Sequence, residues 1–255
     1  MPDEIRDFYN SLADDYHLIF PDWNVSIERQ ARVLSNILSS ELPSHSPLRI
    51  FDCACGIGTQ ALGLAALGHR MVASDLSESA VLRARREAEI RDLKIEFHVS
   101  DMTSLAELTD RDFDAVIAID NALPHLSSCD LKLALEAVGS RLRPGGLFLA
   151  STRDYDALIQ QRPTMQQPMF HGGPGVQRII HQVWEWTSET EYTLHLFITV
   201  QSGAEWATRH YLSHYRCLLR SELDDALASA GFREIRWRTP SQTGFYQPLV
   251  TARWP

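Results

Sequence analysis

The 255-residue sequence has few cysteines, at positions 53, 55, 129 and 217, and their spacing matches neither a metal-ligand set nor a disulfide framework. It lacks any apolar run approaching the roughly 20 residues needed to cross a bilayer, so no membrane partner is expected. Positive charge is also short: 24 Lys+Arg stand against 33 Asp+Glu, a net charge of −9. A chain of that sign repels a phosphate backbone, and its densest basic run, Arg83-Ala84-Arg85-Arg86, reads as a solvated helix face, so nucleic acid is not an expected partner. His171, His181, His195, His210 and His214 fall in different runs with no spacing that gathers them, and no metal is expected. Internal repeats and low-complexity tracts are absent. The acidic start Met1-Pro2-Asp3-Glu4 lacks the pattern of a secretory signal. With 44% hydrophobic and 22% charged residues, the reading is a cytoplasmic globular protein of one domain with an insertion, or of two small domains.

What is present is an ordered pattern. Apolar residues at helical spacing (Ile5, Phe8, Leu12, then Ile27, Ala31, Leu34 and Leu38) make residues 1–42 a helical cover, interrupted by Pro21, with Ser26 a start signal for the second helix. A polar linker follows from Pro43 to Pro47. Short apolar runs at 48–54, 70–74, 95–100, 113–119 and 147–152 then alternate with helical stretches at 59–67, 79–91, 104–108 and 130–142. That alternation predicts an α/β fold with a doubly wound, mostly parallel sheet. It stops at Thr152. Residues 154–175, with Pro163, Pro168, Pro174 and three glycines, read as a loop or lid. Three β-rich runs (176–186, 192–201 and 205–215) read as an inserted antiparallel meander. Helix 221–230 and strands 234–238 and 246–253 close the core. The expected division is cover 1–42, core 43–153 with 217–255, and inserted lid 154–216.

The chemistry is concentrated at strand ends. Asp52-Cys53-Ala54-Cys55-Gly56-Ile57-Gly58-Thr59 carries a strand through a glycine turn into a helix, where backbone can approach a ligand and free N–H groups face it. Asp75, 19 residues after Gly56, ends the next strand and is placed to accept from both hydroxyls of a ribose, with Leu76 beside it. Asp101-Met102 ends the third strand, an acid for an adenine amino group and an apolar face for its ring. Taken singly, each acid reads more readily as a helix cap than as a ligand, but a glycine turn, an acid and an acid with an apolar neighbour at three successive strand ends point together to a ligand. A dinucleotide cradle would need three glycines, and here Ala54, Gly56 and Thr59 occupy those places with no basic residue near. A nucleoside with a sulfonium cation suits the acidic turn better.

This turn resembles motif I of the class I S-adenosylmethionine-dependent methyltransferases, and Arg143-Pro144-Gly145-Gly146 is similar to that superfamily's entry to its fifth strand. The resemblance implies a Rossmann-like sheet of seven strands with the last antiparallel, and S-adenosylmethionine as cofactor. Ile119-Asp120-Asn121-Ala122-Leu123-Pro124-His125-Leu126, Arg153-Asp154-Tyr155-Asp156 and Leu212-Ser213-His214-Tyr215 resemble the glycine N-methyltransferase group, including the glycine/sarcosine enzymes. That likeness implies that Asn121, Arg153 and Tyr215 hold an amino acid, the arginine by its carboxylate. It further implies that Tyr16, Trp23 and either Arg29 or Arg32 cover the cofactor, with Asp120 among its contacts. The insertion and the short N-terminal arm depart from the group.

Methyl transfer is an in-line displacement that demands alignment and dryness more than a strong base. Asn121 and His125 are the candidates for direct roles, the histidine as a base or as a loop-orienting residue. Arg153 either clamps a substrate carboxylate or pairs with Asp154 or Asp156 on the surface. The expected function is methyl transfer to a small-molecule acceptor, foremost the amino group of glycine or a related amine. Other acceptors carrying a hydroxyl, carboxyl or amine, a nicotinamide-dependent oxidoreductase, and a non-catalytic cofactor-binding module are the alternatives. Trp184, Trp186 and Trp206 in the meander read as packing or as contacts of a homo-oligomer.

Overall fold

The structure, a computed structural model, describes residues 2–43 and 47–255; the middle of the Pro43–Pro47 linker lies outside the described residues. Helix α1 (Pro2–Leu12) opens with proline in its first turn and with Asp3 and Glu4 near its positive end. It buries Phe8 and Leu12. A short 3-10 turn, Tyr16–Ile19, precedes helix α2 (Trp23–Glu41). α2 starts three residues before Ser26 because the Asp22 side chain accepts from the Val25 N–H at 3.1 Å and caps it. Its apolar stripe, Ile27, Ala31, Leu34 and Leu38, is buried.

The core follows as β1 (Arg49–Asp52), α3 (Thr59–Ala66), β2 (Arg70–Asp75), α4 (Glu78–Ile90), β3 (Ile95–Val99), β4 (Phe113–Ala118), α5 (Ser128–Gly139) and β5 (Leu142–Ser151). After α6 (Tyr155–Gln161) come β6 (Met165–His171), β7 (Arg178–Trp186), β8 (Glu191–Ser202) and β9 (Glu205–Arg216). The chain ends with α7 (Arg220–Ser229), β10 (Arg233–Arg238), α8 (Pro240–Thr243) and β11 (Leu249–Arg253). Seven strands form one sheet in the order β10-β11-β5-β4-β1-β2-β3. β5, β4, β1, β2 and β3 run parallel, whereas β11 pairs antiparallel with β5 and with β10. The fold is α/β and Rossmann-like, as the alternation predicts. Order reverses between β1 and β4, and ligands of open α/β sheets bind at strand C-termini beside such a reversal.

The second sheet, β6-β7-β8-β9, is antiparallel throughout. It corrects the sequence reading of three strands after a loop, because residues 154–175 supply both α6 and the edge strand β6. Pro168 is accommodated there by a register shift between Gln166 and Met169, at an edge where a missing N–H costs little. A second correction concerns residues 104–108, expected as helix, which form turns: Leu105 is fully buried and holds a left-handed backbone (φ 49°), so the helical path cannot continue.

The cover is fastened to the four-stranded sheet and to helix α4 of the core. Asp15, buried beyond α1, accepts from Arg209 and Tyr211 of β9. Arg178 of β7 donates to the carbonyls of Leu18 (2.9 Å) and Phe20 (2.7 Å). Asn10 of α1 accepts from the Ser77 hydroxyl (2.7 Å) and the Ser79 N–H (3.1 Å) at the start of α4. These polar ties close a lid of helix over the strand ends.

Candidate active site

Two cavities meet under the cover. The first lies at the C-terminal ends of β1 to β4 and is lined by Ala54, Gly56, Asp75, Leu76, Asp101 and Met102, with Tyr9, Tyr16, Asp120 and His125 closing it. The second, a chamber of about 740 Å³, lies between the cover, the end of β5 and the inner face of the four-stranded sheet. Tyr9, Tyr16 and Asp120 line both. The walls of the two therefore come together at three side chains drawn from α1, the 3-10 turn and the end of β4.

The first cavity fits a nucleoside. Gly56 has φ +51°, and a Cβ built on it would project into open space, so the turn presents bare backbone. Asp75 accepts from the Gly56 N–H (2.8 Å) and the Ser77 N–H (2.9 Å), which fixes its carboxylate at the tip of β2. Asp101 is held in the same way by the N–H and hydroxyl of Thr103, both at 2.8 Å. Asp52 is fully buried, with one carboxylate oxygen lacking any hydrogen-bond partner and the other receiving only the Ala54 N–H at 3.3 Å. Burial pushes its carboxyl up to about 8, and the charge of Asp75 adds to the rise. Asp52 thus sits behind the turn as a buried, neutral carboxyl, and the residues that line the cavity include no Lys or Arg to meet a pyrophosphate.

At the end of β4 the backbone is strained. Asp120 (φ 65°) and Asn121 (φ 67°) are consecutive left-handed residues, and neither is glycine. Several bonds hold them there. The Ser151 hydroxyl accepts from the Asp120 N–H (2.7 Å) and donates to Gln247 (2.7 Å), and the Ser151 carbonyl accepts from the Asn121 N–H (3.2 Å). The Asn121 amide donates to the Tyr155 hydroxyl (3.0 Å) and accepts from the Arg153 N–H (3.0 Å). Asn121 lines the chamber, yet its amide is engaged in fixing the loop that carries Arg153. Tyr16 donates to Asp120 at 3.0 Å, and the Tyr9 hydroxyl is hydrogen-bonded to His125 Nε2 at 2.9 Å. Burial pushes His125 down to about 4, so its imidazole is neutral across the physiological range.

Arg153 stands on the chamber wall. Its guanidinium donates to the Tyr192 hydroxyl (2.9 Å) and to Gln182 (3.4 Å) and lies 4.7 Å above the Trp184 ring and 5.5 Å from that of Tyr215. The acids expected as surface partners are engaged elsewhere: Arg220 binds Asp154 at 3.1 Å and Asp156 at 3.6 Å. Among the described residues, no carboxylate pairs with Arg153.

Other placements differ from expectation. Trp23 lines neither cavity; its indole N–H donates to Thr59 at 2.9 Å and pins α2 onto α3. Arg29 is exposed on α2 and borders the chamber, not the nucleoside cavity, and Arg32 pairs with Glu28 at 3.3 Å. Arg29 thus faces the chamber and Arg32 the solvent side of α2. Trp184 is more than packing, since it stacks on Tyr192 (4.6 Å, 5°) and lines the chamber. Ser151, Gln247, Gln182 and Tyr192 escaped the sequence reading. Only the alternation along β7 and β8, which turns Gln182 and Tyr192 inward beside Trp184, could have signalled two of them.

The sheet order, the glycine turn and the acids at successive strand tips resemble those of the class I S-adenosylmethionine-dependent methyltransferases. Residues 50–146 match the family described as Methyltransferase domain. The sequence is similar to glycine N-methyltransferase of Mus musculus, 32% identical over 130 residues that cover 46% of this chain and 44% of the relative. The match thus spans about half the length of that curated relative. DesVI of Streptomyces venezuelae shares the fold at a TM-score of 0.76 and 20% identity, covering 94% of this chain and 97% of its own. CalS10 of Micromonospora echinaspora, described as an amino pentose methyltransferase with S-adenosylmethionine bound, shares it at 0.73 and 18%, covering 90% and 92%.

Proposed function

We propose that this chain transfers the methyl group of S-adenosylmethionine to the amine nitrogen of a small molecule that also carries a carboxylate, glycine being the simplest of that kind. The observation that carries the reading is Arg153, a guanidinium half-buried among aromatic rings on the wall of a chamber that meets the nucleoside cavity, with no carboxylate of the described residues to match it. Its planar fork suits a bidentate carboxylate. Asp120, on the seam between the two cavities, offers the opposite charge to an ammonium. The inserted region 154–216 is then the acceptor-binding part, and the turn at 54–58 with Asp75, Leu76, Asp101 and Met102 the cofactor-binding part.

Bound in the first cavity, the cofactor supplies a methyl carbon activated by its sulfonium. The chain's own work is alignment and exclusion of water. Asp75 holds the ribose and Asp101 the adenine, while Tyr9 and Tyr16 roof the seam and orient Asp120 and His125. His125, neutral and bound to the Tyr9 hydroxyl, fixes that ring at the seam. An amino sugar is the second reading, favoured by the likeness to CalS10 over 90% of this chain; a neutral sugar, however, leaves Arg153 unmatched.

Calorimetry with S-adenosylhomocysteine, followed by titration of glycine into that complex, tests the proposal. Arg153→Met is expected to weaken the acceptor by about 100-fold, since charge-assisted hydrogen bonds contribute about 1.5–3 kcal/mol each, and to leave cofactor affinity within about twofold. Equal losses for cofactor and acceptor would count against the clamp.

A further inference from the structure

The chamber is far too large for glycine. At about 740 Å³ it has the size of pockets that hold drug-sized ligands, and glycine would fill on the order of a tenth of it. Its charged groups are few and gathered on the side of the strand ends, Asp120 at the end of β4 and Arg153 after β5. Asp154 also borders it but is paired to Arg220, and Arg29 stands exposed at its rim. Away from these the wall is uncharged and largely apolar, with Ile19, Phe20, Leu158, Met169, Ile180 and Leu196, while Gln161 and Gln166 add two neutral amides on the α6 and β6 side. An apolar wall facing a glycine would be left in contact with water, an unfavourable arrangement that a ligand's own apolar surface removes. Met169, on the edge strand, adds a flexible and polarizable side chain that adapts to varied shapes.

We infer that the acceptor is an amino acid, or an amine of similar zwitterionic head, whose bulky apolar or aromatic body fills the chamber beyond Arg153. The inference rests on the methyl-transfer reading given above and narrows its acceptor. The head would lie between the Arg153 guanidinium and the Asp120 carboxylate, next to the cofactor cavity, and the body against Phe20, Leu158 and Met169.

The test loads the full chain with S-adenosylhomocysteine and titrates glycine, phenylalanine and tryptophan separately by calorimetry. Phenylalanine or tryptophan is expected to bind at least tenfold more tightly than glycine. Met169→Trp, which narrows the apolar end, is expected to reverse that preference by weakening the larger ligands about tenfold while glycine changes by less than twofold. Ala157→Leu, on α6 at the same chamber, serves the same purpose if the first variant folds poorly. Glycine binding as tightly as the larger ligands, or both narrowing variants leaving the larger ligands unaffected, overturns the inference. Failure of the protein to bind S-adenosylhomocysteine at all overturns the methyl-transfer reading itself, and the acceptor inference with it.

Discussion

The hydroxyl of Tyr16 donates to the carboxylate of Asp120 across 3.0 Å, joining two residues 104 positions apart in the chain. Both line both cavities, so this single bond sits on the seam where cofactor and acceptor must meet. It also ties the cover to the most strained stretch of backbone in the site, the left-handed pair Asp120 and Asn121. Strain of this kind costs on the order of 1–3 kcal/mol per residue and persists only when its surroundings over-determine it. Here Ser151, Gln247, Tyr155 and Tyr16 do so.

Asp75 is expected to set cofactor affinity. Its carboxylate is already aimed by the Gly56 and Ser77 N–H groups, so ribose hydroxyls would meet a fixed acceptor. Asp75→Ala removes two charge-assisted bonds, and S-adenosylhomocysteine binding should weaken by on the order of 100-fold in calorimetry. An affinity that stayed unchanged would remove the ribose assignment.

Asp52 is expected to make the free protein lose stability as pH rises. Its folded carboxyl titrates at about 8 against an ordinary 3.8, because burial disfavours the charged form. A raised folded pKa stabilises the fold fully below the unfolded value and loses that contribution as pH climbs through the folded one, a window from about 4 to about 8. His125, pushed down to about 4 from 6.5, acts in the opposite direction, its contribution being lost as pH falls from 6.5 through 4. Between pH 6.5 and 8 the Asp52 effect therefore stands apart from that of His125. Asp52→Asn should flatten the decline in denaturant midpoint over that interval and be the more stable protein at pH 8.5. Parallel curves for the two proteins would refute this account of Asp52.

Gly63 of α3 is expected to be indispensable to the seating of the cover. A Cβ there would lie 2.6 Å from the Ala31 Cβ and 2.7 Å from the Ile27 carbonyl oxygen, so α2 and α3 approach too closely for any side chain. Gly63→Ala would gain helix propensity of about 1 kcal/mol but force the helices apart at a cost of about 1–3 kcal/mol or more. A lowered melting temperature is the expected result, and a raised one would show that α2 moves freely on the core.

Local sequence decided the parts of this protein that local physics governs. The strand-to-helix turn at Asp52–Thr59 was legible because tight turns need glycine, and Asp75 and Asp101 because strand ends in an α/β alternation fall on one edge. The alternation itself predicted the parallel sheet, since apolar runs of that length are buried on both faces. Tertiary structure alone decided which distant side chains meet. Arg153 could have paired with Asp154 beside it; instead Arg220, 66 positions away from Asp154, binds that acid, and Arg153 faces Tyr192, Gln182 and Trp184 from strands of the insertion. Likewise packing sets where Trp23 and Arg29 lie: Trp23 donates to Thr59 between α2 and α3, and Arg29 borders the chamber. Edge strand β6 was hidden behind prolines that a central strand would not tolerate. Spacing along the chain fixes what a residue can do, whereas the packing of helices and sheets, a balance of many weak contacts among residues far apart, fixes what it touches.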